Sequence, residues 1–102
     1  MASRLQLHEE LCELLGSRNV YFQPPTSLLM EYPCIRYSKT GVNQRRANGK
    51  RYISTNRYEL IVIDYDPDSP IPDMILDHFE MTNFDRQYPS NGLNHFVITL
   101  YY

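Results

Sequence analysis

The sequence predicts an α+β fold in which a mostly antiparallel sheet carries two flanking helices and a protruding β-hairpin. Three observations predict this class: leucines at helical spacing near the start, an Asn-Gly turn signal between strand-like segments, and alternating residues in the last ten positions. A chain of 102 residues buries about two-thirds of its unfolded surface, enough for one modest core. We therefore expect residues 1–102 to form a single domain of order α-β-β-β-α-β-β.

The first helix is predicted by its two ends and by one apolar stripe. Ser3 and Gln6 have the spacing of a capping box, and Gly16 can close the helix in the left-handed conformation without steric cost. The stripe consists of Leu7, Leu11, Leu14 and Leu15.

An apolar connector separates this helix from the main strands. Residues 20–23 favour a short extended segment that two prolines stop, and Leu28, Leu29 and Met30 follow. An apolar loop either lies on the core or contacts a partner. We favour the core, because scattered apolar residues are common on protein surfaces and do not by themselves indicate a partner.

The middle of the chain predicts a hairpin and a central strand. Residues 34–38 are strand-like, and Asn48-Gly49 is a strong hairpin-turn signal. The returning arm, 52–58, runs into the aliphatic residues 60–63, which cannot all face one side of a sheet. We therefore expect this strand to be central and covered on both faces.

A second helix and two further strands complete the prediction. Ser69 can cap the helix with Pro70 at its first position, and strands are expected over 81–88 and 93–102, joined through 89–92. The chain end at 101–102 should be tied into a sheet, its own or a neighbour's. The predicted buried stripe of the helix is Ile71, Met74, Ile75, His78 and Phe79, and the core face of the last strand is Phe96, Ile98, Leu100 and Tyr102.

Known patterns for catalysis and cofactor binding are not found in the sequence. There is no G-x-S-x-G elbow, no Gly-rich phosphate loop and no cysteine within a catalytic signature, so we predict no enzyme, no catalytic residues and no cofactor. No apolar run approaches the roughly 18 residues of a membrane span, and residues 1–16 are too charged for a signal peptide, which predicts a cytosolic protein when made.

Two weak metal patterns do not predict a metal site. The series Asp64, Asp66, Asp68 resembles the start of a calcium loop but lacks the glycine and the bidentate glutamate that such a loop needs. His8 and Cys12 have the i, i+4 spacing of two zinc ligands, but their possible completers, Cys34, His78 and His95, are scattered singly. Both are more simply structural: a solvated turn, and a helix-face histidine beside a buried thiol.

The distribution of charge is the most informative pattern for function. The predicted hairpin tip carries four of the ten cations, whereas 64–85 carries seven of the twelve acids. Three interpretations stay open: a solvated hairpin, contact between the basic tip of one subunit and the acidic segment of the next, or phosphate binding. The candidate interface residues are Arg45, Arg46, Asn48, Gly49, Lys50 and Arg51 on the hairpin, with Asp64, Asp66 and Asp68 as acceptors.

Six segments together resemble small proteins encoded between the head and tail genes of long-tailed bacteriophages and prophages. The likeness spans nearly the whole chain and is strongest to tail terminators, also called tail completion proteins. The segments are L-x-x-x-L-x-x-L-L-G at 7–16, VYFQPP at 20–25, MEYPCI at 30–35, IDYDPDSPIPD at 63–73, FDR at 84–86 and NGLNH at 91–95.

The resemblance implies a non-enzymatic structural protein of the virion. Tail terminators form a hexameric ring that caps the tail tube and joins it to the head connector, so the implied partners are further copies of this chain, the tube protein and the connector protein. DNA would pass only as cargo, and the protein would act at the head–tail junction after assembly in the bacterial cytoplasm. A connector, stopper or minor head protein is the near alternative, and a small nucleic-acid-binding protein that uses the basic hairpin is the alternative of another class.

Overall fold

The computed structural model describes residues 3–47 and 50–102, with the side chains of 43–54 outside that description. The predicted order α-β-β-β-α-β-β is confirmed. The elements are α1 (Arg4–Leu15), β1 (Val20–Phe22), β2 (Cys34–Ala47), β3 (Lys50–Asp64), α2 (Ile71–His78), β4 (Thr82–Ser90) and β5 (Leu93–Tyr101).

All five strands belong to one sheet of order β1-β2-β3-β5-β4. The β1–β2 pair is parallel, and the other three pairs are antiparallel. The predicted α+β class with a mostly antiparallel sheet is therefore confirmed. β1 and β4 are the edge strands, and β3 is the middle strand of the five.

Helix α1 has the predicted boundaries. Ser3 Oγ accepts from Gln6 N–H at 3.1 Å, the Gln6 side chain accepts from Ser3 N–H at 3.4 Å, and Gly16 closes the helix at φ 79°. Leu7 and Leu11 are fully buried, while Leu14 and Leu15 pack against the core and stay partly exposed. No described helix is long and apolar enough to cross a membrane.

The core lies between the helices and one face of the sheet. Cross-strand neighbours form successive apolar rows across β2, β3 and β5, and the buried residues of α1 and α2 cover these rows. The core face predicted for β5 is confirmed, since Phe96, Ile98 and Leu100 are buried there and Tyr102 packs against them. The rows are Ile35-Val62-Phe96, Tyr37-Leu60-Ile98 and Tyr58-Leu100.

The second face of the sheet is also covered at its centre. Ile63, Cys34 and Val97 are buried although they lie outside the main core cluster. This confirms the central position predicted for β3, with Ile61 only half-buried on that face. Burial raises the pKa of the Cys34 thiol to about 11, so this cysteine is an unreactive apolar group at neutral pH.

Helix α2 begins one residue later than predicted and buries a different stripe. Pro70 is its N-cap rather than its first residue, although Ser69 Oγ still accepts from Ile71 N–H at 3.3 Å. The predicted burial of Met74 and His78 is wrong, since both are exposed. An eight-residue helix turns only a narrow face inward, and the buried residues are Ile71, Pro72 and Ile75, with Phe79 just beyond.

The last two strands form a tight hairpin. Ser90 pairs with Leu93, and the two loop residues Asn91 and Gly92 both have positive φ, at 54° and 76°. Asn-Gly suits this geometry because both residues tolerate the left-handed region. The chain end is tied into its own sheet, because Tyr102 exchanges two backbone hydrogen bonds with Asn56 at 2.9 and 3.0 Å.

The prediction that the connector lies on the core is wrong. Leu29 is 93% exposed and Leu28 is 41% exposed. β1 ends at Phe22 just before the two prolines, and the chain rejoins the sheet at Cys34, where β2 begins. Of the three apolar connector residues only Met30 is half-buried.

Candidate interaction surfaces

The predicted protruding hairpin is the part of β2 and β3 that extends beyond the other strands. β3 pairs with β5 only from Arg57 to Asp64, and β1 pairs with β2 only over Ile35 to Tyr37. Beyond Asn56 the described ladder joins β2 to β3 alone. The molecule consequently measures 51 × 26 × 23 Å, and we call this two-stranded extension the ribbon.

A bulge at Thr40 marks the root of the ribbon. The register shifts between Lys39 and Gly41, and the Arg57 guanidinium donates from Nε to Thr40 Oγ1 at 3.2 Å and from Nη2 to the Thr40 carbonyl at 3.1 Å. The space beside Gly41 is filled by this guanidinium, because a Cβ there would lie 2.9 Å from Arg57 Nη2. Arg57 therefore packs on the bulge, and a bulge of this kind bends the strand and increases its twist.

The basic residues lie at the far end of the ribbon. In the ladder Arg46 pairs with Arg51, Ala47 with Lys50, and Arg45 with Ile53. The backbone thus brings together Arg45, Arg46, Lys50 and Arg51, as the sequence predicts. The turn residues Asn48 and Gly49 lie outside the described residues. We call the four cations the basic tip.

The acidic residues lie at the other end of the same strand: Asp64 is the last residue of β3, and Asp66 and Asp68 lie in the turn that follows. Asp64 Oδ1 accepts from Asp66 N–H at 3.2 Å, and Asp66 Oδ1 accepts from Asp68 N–H at 2.9 Å. Asp64 and Asp66, two of the predicted acceptors, therefore each use one carboxylate oxygen to stabilise the turn. Asp68 accepts no hydrogen bond from any described residue and is exposed.

Side chains of the neighbouring hairpin hold the acidic turn in place. Gln87 Nε2 on β4 donates to the Pro67 carbonyl at 3.2 Å, and Asn94 Nδ2 on β5 donates to the Tyr65 carbonyl at 3.2 Å. These two bonds fix the turn against the sheet. It is therefore a positioned surface rather than a loose loop.

A groove of about 420 Å³ opens beside this turn, between α2 and the edge strand β4. Asp68 and Asp73 lie on its rim, and Leu76, Phe84 and Phe96 form its apolar wall. Phe84 is 41% exposed. We call this the acidic groove, and sequence reasoning missed it because Asp73 and Phe84 come from elements that only tertiary packing places side by side.

The basic tip and the acidic groove cannot meet within one copy of the chain. Lys50 and Asp64 are the first and last residues of β3, and the 14 steps between them span about 46 Å at about 3.3 Å per residue. Any contact between the two charged surfaces must therefore join two molecules.

The histidines and cysteines considered as metal ligands do not come together. His8 Nδ1 lies 2.8 Å from Tyr37 Oη, and His78 Nε2 lies 3.0 Å from Glu10 Oε1. Cys34 is on the opposite sheet face from Cys12. Among the described residues no group of three or more His, Cys, Asp or Glu could hold a metal ion.

Several shifted pKa values belong to contacts that hold α1 in place. The hydrogen bond from the Tyr102 hydroxyl lowers the pKa of Glu10, and burial together with that carboxylate raises the pKa of Tyr102 to about 12. Burial, assisted by Arg18 and Arg4, lowers the pKa of His8. The neutral His8 ring can therefore accept a hydrogen bond at Nδ1 from the Tyr37 hydroxyl, while Arg4 donates to the oxygen of that hydroxyl at 3.3 Å.

Comparison with known proteins adds no relative. No family model matches the chain, and the search of curated proteins finds no match. The fold and the two charged surfaces define a small α+β protein with a projecting basic ribbon and an acidic groove at the opposite end.

Proposed function

We propose that this protein is a non-enzymatic assembly protein of long-tailed bacteriophage virions that associates with itself through its two charged ends. The observation that carries the proposal is the separation of the basic tip and the acidic turn along β3. Two different surfaces of opposite sign on one molecule favour head-to-tail contacts, and such contacts form a closed ring when the rotation between copies closes.

The particular role we propose is that of a tail terminator. A hexameric ring would cap the tail tube and contact the head connector, and DNA would pass through its lumen as cargo. The resemblance of the six segments supports this role. The observed architecture supports it as well, since tail terminators are small α/β domains with an antiparallel sheet, flanking helices and a protruding β-hairpin. The protein would act at the head–tail junction after assembly in the bacterial cytoplasm.

The direction of the basic tip matters for this proposal. DNA must slide through the lumen, so a tip that bound phosphates tightly would slow its passage. Lys and Arg side chains that neutralise phosphates release counterions and gain affinity, most strongly at low salt. We therefore propose that the tip contacts protein, either a neighbouring subunit or the tube.

Electron microscopy of virions assembled with and without this protein tests the proposed role. We expect overlong, headless tails in its absence, because nothing would stop tube growth or join the head. Tails of normal length beside detached filled heads would instead indicate a connector or stopper. Normal tails on filled heads would contradict both roles and favour the nucleic-acid alternative.

A further inference from the structure

Resting on the proposed function, we infer that the acidic groove between α2 and β4 is the site that receives the basic tip of a second copy of this chain. The groove joins two kinds of surface that an arginine or lysine needs. Asp68 and Asp73 supply carboxylates on the rim, and the exposed ring of Phe84 supplies an apolar and aromatic wall.

The chemistry of the groove suits a long cationic side chain. A guanidinium can pair with a carboxylate through two parallel N–H bonds, and its plane can stack on an aromatic ring. An aliphatic stem of Lys or Arg would lie against Leu76 and Phe84 while its charged head stays at the rim. The groove volume of about 420 Å³ lies within the usual range of binding pockets, about 300–1,000 Å³.

The acceptor carboxylates differ from the set that the sequence predicts. Asp64 and Asp66 already accept backbone N–H groups within the turn. Neither Asp68 nor Asp73 accepts a hydrogen bond from any described residue, and both are exposed. These two carboxylates are therefore available to a second molecule without loss of an internal bond.

The occupant is a second copy rather than the same molecule because of distance. Val62, Phe96 and Gln87 share one row of the sheet, which places the groove at the level of Val62. Twelve residue steps along β3 separate Val62 from Lys50, about 40 Å at about 3.3 Å per step. Exposed charges that far apart are screened from each other at physiological salt, since the Debye length is about 8 Å.

Cross-linking of isotopically mixed copies tests this inference directly. A carbodiimide condenses a lysine amine with a carboxylate to an amide while the reagent takes up the water, so it joins only groups that are already in contact. The chain has two lysines, Lys39 and Lys50. In a mixture of ordinary and ¹⁵N-labelled full-length protein, we expect mixed-mass peptides that link Lys50 to Asp68 or Asp73, and Lys39 serves as the internal reference.

A charge swap sharpens the test. Asp73→Lys should lower the mixed cross-links at least about tenfold, the ratio that corresponds to about 1.4 kcal/mol, because two cations would then face each other. Combining Asp73→Lys with Lys50→Glu in one chain should restore a link between positions 50 and 73. Glu31→Lys is the matched control, since it makes the same charge change on an exposed residue outside the groove.

Thermal melting keeps the mutational result interpretable. Asp73 is exposed in the first turn of α2, so its loss removes only a favourable interaction with the helix dipole, and the melting temperature should fall slightly while the chain stays folded. Asp73→Asn is the milder second variant and should lower the cross-links without a like-charge contact.

Each outcome decides between the two proposals. Mixed cross-links from Lys50 that fall equally on Glu31, a complete absence of mixed cross-links, or a link from Asp73 to the tube protein in an assembly reaction would overturn the groove inference. The proposed function would still stand in those cases if the virions lacking this protein had overlong, headless tails.

Discussion

Lys50 and Asp64 begin and end the same strand, β3, and this places the basic and acidic ends of the molecule about 46 Å apart. β3 is one continuous strand that pairs with β2 from Lys50 to Ile63 and with β5 from Arg57 to Asp64, so its length sets the distance between the two ends. Each charged end therefore stays free of the other within one copy. This relationship is the physical basis of the head-to-tail assembly that we propose.

Charge reversal at the tip should weaken assembly without unfolding the protein. We expect Arg45→Glu combined with Arg46→Glu to change the free energy of unfolding by no more than about 0.5–1 kcal/mol, because Arg46 pairs with Arg51 and the change replaces a like-charge pair by an opposite one. The fraction of protein in rings or bound to tubes should fall markedly. Sedimentation with purified tubes measures this fraction. Normal assembly of a folded double variant would remove the ribbon from the interface.

DNA affinity separates the virion assembly role from the nucleic-acid alternative. A ring protein should show negligible affinity for duplex DNA even at low salt. A binder that uses all four tip cations should lose affinity with a log–log slope against salt of roughly −3 to −4, since each neutralised phosphate contributes about −0.9. Fluorescence anisotropy of labelled duplex DNA distinguishes the two. The titration runs from about 20 to about 200 mM salt, over which the Debye length falls from about 20 to about 7 Å.

Tyr102→Phe should destabilise the protein through Glu10. The change removes the hydrogen bond to the Glu10 carboxylate but keeps the ring near Phe79, whose centroid lies 6.0 Å away. We expect a loss of about 1 kcal/mol in the free energy of unfolding. This is less than hydrogen bonds to charged groups usually contribute, because Glu10 is 35% exposed and solvent screens the interaction. Tyr101→Phe is the matched control, since its hydroxyl has no described partner.

The same variant should change the acid end of the stability curve. The bond from Tyr102 holds the pKa of Glu10 below its ordinary value, so its contribution is present above the unfolded-state pKa and is lost as the pH falls through the folded-state value. In Tyr102→Phe this acid-dependent loss should shrink. Urea unfolding between pH 3 and 6, roughly the window on either side of an ordinary glutamate pKa, measures it, and an unchanged slope would contradict the assignment.

His8 should make the protein less stable as the pH falls from about 7 to about 5. Burial lowers its pKa in the folded state, so the unfolded chain binds the proton more readily and stability decreases with falling pH in this range. His8→Asn keeps an acceptor for the Tyr37 hydroxyl and removes the titration. A variant with the same slope as the natural chain would assign the pH dependence elsewhere.

Two leucines should respond very differently to truncation. Leu11 is fully buried in the core, and Leu11→Ala should cost about 2–5 kcal/mol because it leaves a cavity. Leu29 is 93% exposed, and Leu29→Ala should change the free energy of unfolding by less than about 0.5 kcal/mol. Chemical denaturation measures both, and a large loss for Leu29→Ala would show that the connector packs on the protein.

Patterns that depend on neighbours in sequence were sufficient to predict most elements. The capping box at Ser3, the closing Gly16 and the Asn91-Gly92 turn each depend on residues a few positions apart. Their structures can therefore be predicted from the sequence alone. The start of α2 was wrong by one residue. Pro70 is predicted to be the first helical residue but is the N-cap, and Ser69 Oγ accepts from the N–H of Ile71, the first residue of the helix.

The sequence by itself determined the order of the elements, the core face of β5 and the clustering of opposite charges, because periodicity, turn chemistry and composition are local properties. Only the tertiary structure decided which residues are covered and which lie side by side: that Leu29 faces solvent, and that Asp68, Asp73 and Phe84 border one groove. Such contacts join residues of different elements, and they form only when the sheet brings those elements together.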